Sequence, residues 1–248
     1  MLRSLLKLTW VEIKVFVREP MGVLGTVGIP VLIFLALGRM LASRSGEAPK
    51  TPSFLGSGLP VFAVLFIAVG SVLSLVAIIS IYREGGILKR LRATPLRPQI
   101  ILTAHVLVKL LFTSLTIALL LLAGRRFFTI PPEANLFSLG LAMLFTTISI
   151  LAIGFVIASV VPTARFAQPI GSAILYPMLA LSGVFLSIDD LPAGWRLVAH
   201  LLPLTHAVSL LQGVWTGGGL ADHLIELGAL ALNFLICVGL SAKIFRWE

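Results

Sequence analysis

Six long apolar runs divide the chain, at residues 22–41, 59–81, 99–123, 136–161, 169–188 and 221–242. A helix needs about 20 consecutive apolar residues to cross a bilayer, so each run predicts one span. Pro30 lies inside the first run and Pro177 inside the fifth. Residues 2–19 show a different pattern. At about 100° per residue, Arg3, Lys7, Lys14 and Arg18 share one narrow arc, Leu5, Leu6, Ile13 and Phe16 lie mainly opposite, and Trp10 sits near the boundary. That pattern predicts an amphipathic helix lying in the membrane interface, held by apolar burial and anionic lipid. Pro20 ends it. Residues 189–219 are too apolar for a plain loop, yet Pro192, Pro203 and the Gly217-Gly218-Gly219 run break them. They predict two short helices, buried in protein or re-entrant at the outer face. Residues 42–58 read as a polar outer loop. The expected fold is all-α and polytopic: six transmembrane helices after an N-terminal interfacial helix, in a single domain over 1–248.

Composition agrees. Of 248 residues, 58% are hydrophobic and 12% charged, against about 25% charged in soluble domains. The net charge of +9 suggests nucleic acid for a soluble chain. In a polytopic membrane protein it reflects Lys and Arg retained on the cytoplasmic side, and no nucleic-acid partner is expected. With the N-terminus inside, the inner segments hold thirteen Lys and Arg against four acids, and the outer segments six against six. The expected location is therefore the cell inner (cytoplasmic) membrane, multi-pass, with both termini cytoplasmic. Arg125 and Arg126 are the discordant pair. No cleavable signal peptide is expected, so the first span stays. The single cysteine, Cys237, excludes an intramolecular disulfide and a cysteine-cluster metal site.

The chemistry-bearing residues point away from catalysis. No Gly-x-x-x-x-Gly-Lys-Ser/Thr loop is present to cradle phosphates. Leu181-Ser182-Gly183 superficially resembles the start of an ATPase signature, but it lies in an apolar span and reads as a packing point. His105, His200, His206 and His223 make neither a His-Glu-x-x-His pair nor a zinc spacing; His200 and His206 read as interfacial or packing residues. No metal site and no cofactor are expected in this chain. Arg39 and Lys109, near span ends, can snorkel to the interface, and no carboxylate lies at mid-membrane depth. That argues against a proton-driven secondary transporter, and an intramembrane enzyme would need a constellation that is absent. Asn233, in the middle of the sixth run, reads as an interhelical hydrogen-bond donor.

The segment at 82–98, YREGGILKRLRATPLRP, is richer. Arg83, Lys89, Arg90, Arg92 and Arg97 make it basic. Glu84 suits the first turn of a helix, where the dipole favours an acid. Ile87, Leu88 and Leu91 then share one face, with Lys89, Arg90 and Arg92 on the other, and Pro95 and Pro98 end the helix. The residues alone leave two readings open: a basic surface loop that fixes topology, or a short docking helix whose apolar face enters a groove on a cytosolic partner.

At these residues the sequence resembles the permease subunits of ABC exporters of the type-2 membrane family, whose segment after the second span is similar to Arg-Glu-x-Gly-Thr-Leu-Glu-Arg-Leu-x-x-Thr-Pro. Arg83, Glu84, Gly86, Leu88, Arg90, Leu91, Thr94 and Pro95 match in register; Ile87 and Lys89 depart from it. Residues 181–215 resemble the end of the family's fifth span, its outer helices and its Pro-Leu-Thr element, here Pro203, Leu204 and Thr205. The resemblance implies a transporter of two permeases, a homodimer being expected, with two separate nucleotide-binding ATPase subunits that bind the ATP and Mg. It makes 2–19 a connecting helix and 84–96, through Leu96, the first coupling helix. Arg165, in the short inner loop 162–168, would make a second contact. It places the substrate path at the twofold interface, with Phe62, Phe66, Tyr176 and Met178 as path residues and Val184, Phe185 and Leu186 as an outer gate. The implied activity is ATP-driven export of a hydrophobic or amphipathic compound. Drug-like efflux comes first, and export of lipid or lipid-linked polysaccharide second.

Overall fold

The computed structural model describes residues 2–44, 58–86, 98–127, 135–161 and 163–244. Among them the regular structure is helical, with no strand. Helix α1 (Leu2–Arg18) is followed by a single turn, α2 (Pro20–Val23), a π-helical turn (Leu24–Gly28) and α3 (Ile29–Arg44). Then come α4 (Gly58–Glu84), α5 (Pro98–Phe127), α6 (Leu136–Val160) and α7 (Ala164–Leu181). Two short helices, α8 (Ala193–Leu201) and α9 (Pro203–Trp215), precede α10 (Leu224–Ile244). Among the described residues four stretches are long and apolar enough to cross a membrane: Pro60–Tyr82, Thr103–Ala123, Phe137–Val160 and Leu220–Ser241. Two bent pairs raise the number to six if each counts as one span: Arg3–Arg18 with Pro20–Ala36, at 92°, and Ala193–Leu201 with Pro203–Trp215, at 80°. The chain is an all-α polytopic membrane protein.

Helix α4 is the hub. It packs on α6, α7 and α9, which explains why it is apolar almost all round: Val64, Ala68, Val72 and Val76 are all fully buried. In lipid, helices associate through close packing and interhelical hydrogen bonds, because the surroundings are as apolar as their side chains. Gly154 provides the closest approach. A Cβ there would stand 3.1 Å from the Cα of Val72, so any larger residue pushes α6 off α4. On its other side α6 holds α10 by hydrogen bonds. The Asn233 amide donates to the Ser149 carbonyl at 3.1 Å and to its hydroxyl at 2.9 Å, and that hydroxyl donates to the Leu230 carbonyl at 2.9 Å. Asn233 is thus the interhelical donor that its sequence position suggests.

Proline shapes two helices. Pro30 has no N–H to give the carbonyl four residues back, Thr26. The Thr116 hydroxyl of α5 donates to that carbonyl at 3.1 Å, and also to Phe112 of its own helix at 2.8 Å. A neighbouring helix thereby satisfies the freed backbone group, and the π-helical turn directly precedes the proline. Helix α7 carries Pro169 and Pro177 inside it. The apolar run at 169–188 differs from this helix at both ends. The helix starts earlier, at Ala164, and runs through Pro169; beyond it the Ser172 hydroxyl donates to the Gln168 and Pro169 carbonyls at 2.8 and 3.1 Å. It stops at Leu181, where the Ser182 hydroxyl turns back to the Leu179 carbonyl at 2.9 Å. Ala167, Gly171, Leu175 and Leu179, spaced four apart, bury its inner face. At the same end of the bundle α9 is buried while α8 is largely exposed. The His206 ring nitrogen donates to the His200 carbonyl at 2.9 Å across the bend between them.

Candidate functional site

Three features stand out: a polar junction at the end of the bundle that carries α1, a groove between α3, α4 and α5, and a cavity at the far end. The junction begins with α1. Ile13 and Phe16 on its inner face pack against Val27, Val108 and Phe112, and the Phe16 and Phe112 ring centroids are 4.3 Å apart. Arg3, Lys7, Lys14 and Arg18 are exposed, as are the apolar Leu6, Val11 and Val15. The helix thus presents basic and apolar surface together, as interfacial helices do. Lys14 lies over the Trp10 ring at 5.5 Å, a cation–π contact.

Glu12 lies one turn before Phe16 and so faces inward with it. Its carboxylate accepts from the Tyr82 hydroxyl at 3.4 Å and lies 3.6 Å from Nδ1 of His105. The Tyr82 and His105 rings meet edge to face at 5.1 Å. His105 is buried, and its Nε2 has no hydrogen-bond partner among the described residues. One carboxylate therefore ties α1 to the end of α4 and to the start of α5. Those are the two helix ends that enter and leave the segment at 87–97. The exit from α4 is a glycine turn: the Gly85 N–H donates to the Ile81 carbonyl at 2.9 Å, and Gly86 has φ +65°. This left-handed conformation commonly ends helices and costs glycine nothing.

Of the residues assigned to ATPase coupling, Arg83 and Glu84 close α4, with Glu84 exposed, and Gly86 makes the turn. Arg165 is exposed in the first turn of α7. Leu88, Arg90, Leu91, Thr94, Pro95 and Leu96 lie outside the described residues.

The groove encloses about 430 Å³. Residues 109, 113, 116, 117 and 120 of α5 line it along one helix face, opposite residues 63, 66, 67, 70, 73 and 74 of α4. Residues of the π-helical turn and of α3, including Pro30 and Ile33, close its side. Phe66 lines this groove, whereas Phe62 is buried against Phe34, ring centroids 5.8 Å apart. Tyr176 and Met178 are not among its lining residues. Two positions apart on α7, they point to different sides: Tyr176 is 55% exposed and Met178 packs against the core. The four path candidates are thus not brought to one surface within a single chain. Val184, Phe185 and Leu186 are brought together. They line the far-end cavity of about 260 Å³ with Thr205 and Gln212, Val184 buried and the other two exposed. Among the described residues no three His, Cys, Asp or Glu side chains are grouped to hold a metal ion.

The junction was readable in part. Glu12 lies about 180° around α1 from Arg3, and an acid on the inward face of an amphipathic helix is itself a signal. Tyr82 and His105 carry no local pattern that marks them as partners of Glu12; only the packing of three helices does.

Residues 3–215 match the family described as ABC-2 type transporter. The chain is also similar to Nodulation protein J of Rhizobium leguminosarum bv. viciae, 25% identical over 101 residues, which is 41% of this chain and 39% of that relative. Nodulation protein J of Neorhizobium galegae is 28% identical over 101 residues, covering 41% of this chain and 38% of the relative. That of Sinorhizobium fredii (strain NBRC 101917 / NGR234) is 39% identical over 70 residues, 27% of each chain. The matched stretches thus span less than half the length of these relatives.

Proposed function

Since the chain belongs to the ABC-2 type transporter family, we propose that it is the membrane permease of an ATP-driven exporter, energised by a separate ABC ATPase. The family match over residues 3–215 carries this reading. On it, two copies of the permease pair with two ATPase subunits in the cell inner membrane, and both termini face the cytoplasm, where the excess of Lys and Arg collects. Residues 83–96 dock on the ATPase, and Arg165 adds a smaller contact. The Glu12–Tyr82–His105 junction supports this assignment, because it braces both flanks of the docking segment against α1. ATP binding then moves the docking segment and rocks the two permeases about their interface. The path lies between the copies, where the exposed Tyr176 and the groove residue Phe66 are available. Val184, Phe185 and Leu186 form its outer gate. Apolar lining with few polar groups suits an amphipathic compound, a drug-like molecule first. Lipid or lipid-linked glycan export is the second reading.

Co-purification tests the class. Expressed with a candidate ABC ATPase subunit, the tagged chain is expected to bring that subunit down, and vanadate is expected to stop transport in vesicles. Recovery without any ATPase, together with vanadate-insensitive transport, contradicts the proposal.

A further inference from the structure

The groove between α3, α4 and α5 is polar at one end and apolar at the other. Lys109, Thr113, Ser74 and Gln168 lie at the end nearer α1, and Ile33, Phe66 and Leu120 at the other. From position 109 to position 120 along α5 it runs about 17 Å at the helical rise, roughly half of a hydrocarbon core about 30 Å thick. Among the described residues Lys109 is its sole charged lining residue, and no carboxylate lines it. Lys109 lies on the second turn of the apolar stretch Thr103–Ala123. It forms no ion pair or hydrogen bond among the described residues. An ammonium within a span is costly unless it is paired, solvated or reaches the interface, and an intramembrane cation is a functional-site candidate. The wall beside it is irregular in a second way: the π-helical turn and Pro30 border the same groove, and such turns gather at functional sites.

We infer that this groove binds an anionic single-chain amphiphile, its acidic head at the Lys109 ammonium and its hydrocarbon tail along α3 and α4. Thr113, Ser74 and Gln168 supply neutral polar groups around the head, and the α5 wall along the tail is a single helix face. That the ligand is cargo on its way out rests on the exporter reading above. The binding itself does not, and it is measured without any ATPase, so failure of the site and failure of the exporter reading are separate results.

The test is equilibrium binding of radiolabelled dodecyl phosphate to the full-length chain in nanodiscs of phosphatidylcholine. Wild type and Lys109→Arg are expected to bind alike. Lys109→Gln is expected to bind about tenfold or more weakly, the loss of one charge-assisted contact. Ile33→Trp, which fills the tail end while leaving the charge, is expected to weaken binding comparably. Neutral dodecyl maltoside is expected to bind wild type and Lys109→Gln equally. Equal affinity of wild type and Lys109→Gln for dodecyl phosphate overturns the inference, because Lys109 then merely reaches for the interface. Unchanged binding in Ile33→Trp overturns it as well. So does phosphatidate that excludes dodecyl phosphate from the site in a Lys109-dependent way, since a two-chain lipid is then the resident.

Discussion

Glu12 gathers partners from two other helices, and its neighbours explain why it can. The Tyr82 hydroxyl and the His105 ring both reach one carboxylate, on a helix face otherwise held by Ile13 and Phe16. A buried polar group without its partner is costly, so the three residues should stabilise the protein as a unit. Tyr82→Phe removes one neutral donor and is expected to cost about 0.5–1.5 kcal/mol. Glu12→Ala leaves both partners unmatched and is expected to cost more. A thermal-denaturation double-mutant cycle of Glu12→Ala with His105→Ala is expected to give a coupling of about 0.5 kcal/mol or more. Strict additivity would mean that the two side chains are neighbours without interaction. Sequence signals for these residues were uneven. Glu12 stands out on a helical projection, but His105 looks like one histidine among four until α1 is laid against α5.

At the level of elements, hydrophobic patterning revealed most of the helices and little of their irregularities. The basic arc of α1, the break at Pro203 and the long apolar runs of α4, α5 and α6 were all legible, because each depends on periodicity or on proline. The fifth run was misaligned at both ends with α7, since apolarity marks where a helix can be buried, whereas this one begins at Ala164, ahead of Pro169, and stops at the turn made by Ser182. The π-helical turn left no sequence trace, and the need for a donor at Thr26 became visible only beside Thr116. Thr116→Val keeps the shape and removes that donor. It is expected to lower stability by about 1 kcal/mol, with a lower unfolding temperature and retained membrane insertion; no change would mean that Thr26 is satisfied otherwise. Asn233→Leu removes both hydrogen bonds from its amide to Ser149 and is expected to cost about 0.6–1.7 kcal/mol, the range for polar contacts between membrane helices. An unchanged unfolding temperature would leave that pair held by packing and the Ser149–Leu230 hydrogen bond.

For the whole molecule, the described helices give the all-α body of an ABC-2 type transporter family member, and on the proposal above its energy comes from a separate ATPase. On the proposed function, the segment at 83–96 is the body's connection to that ATPase. Glu84 stands exposed at its start, Gly86 turns it, and the Glu12 junction holds the helices on both sides. Family resemblance was legible there because eight positions match in register. Which helix faces meet a second copy was not, because an apolar side chain reads the same whether lipid or protein covers it. The most direct test is to measure transport and ATP hydrolysis together, in proteoliposomes holding the permease with its ATPase, for wild type, Glu84→Ala and Arg90→Ala. Both variants are expected to insert and to keep basal hydrolysis, while losing most transport and the stimulation of hydrolysis by substrate. Wild-type transport with full substrate stimulation in both would contradict the assignment of 83–96 as the point where the permease takes up the ATPase's work.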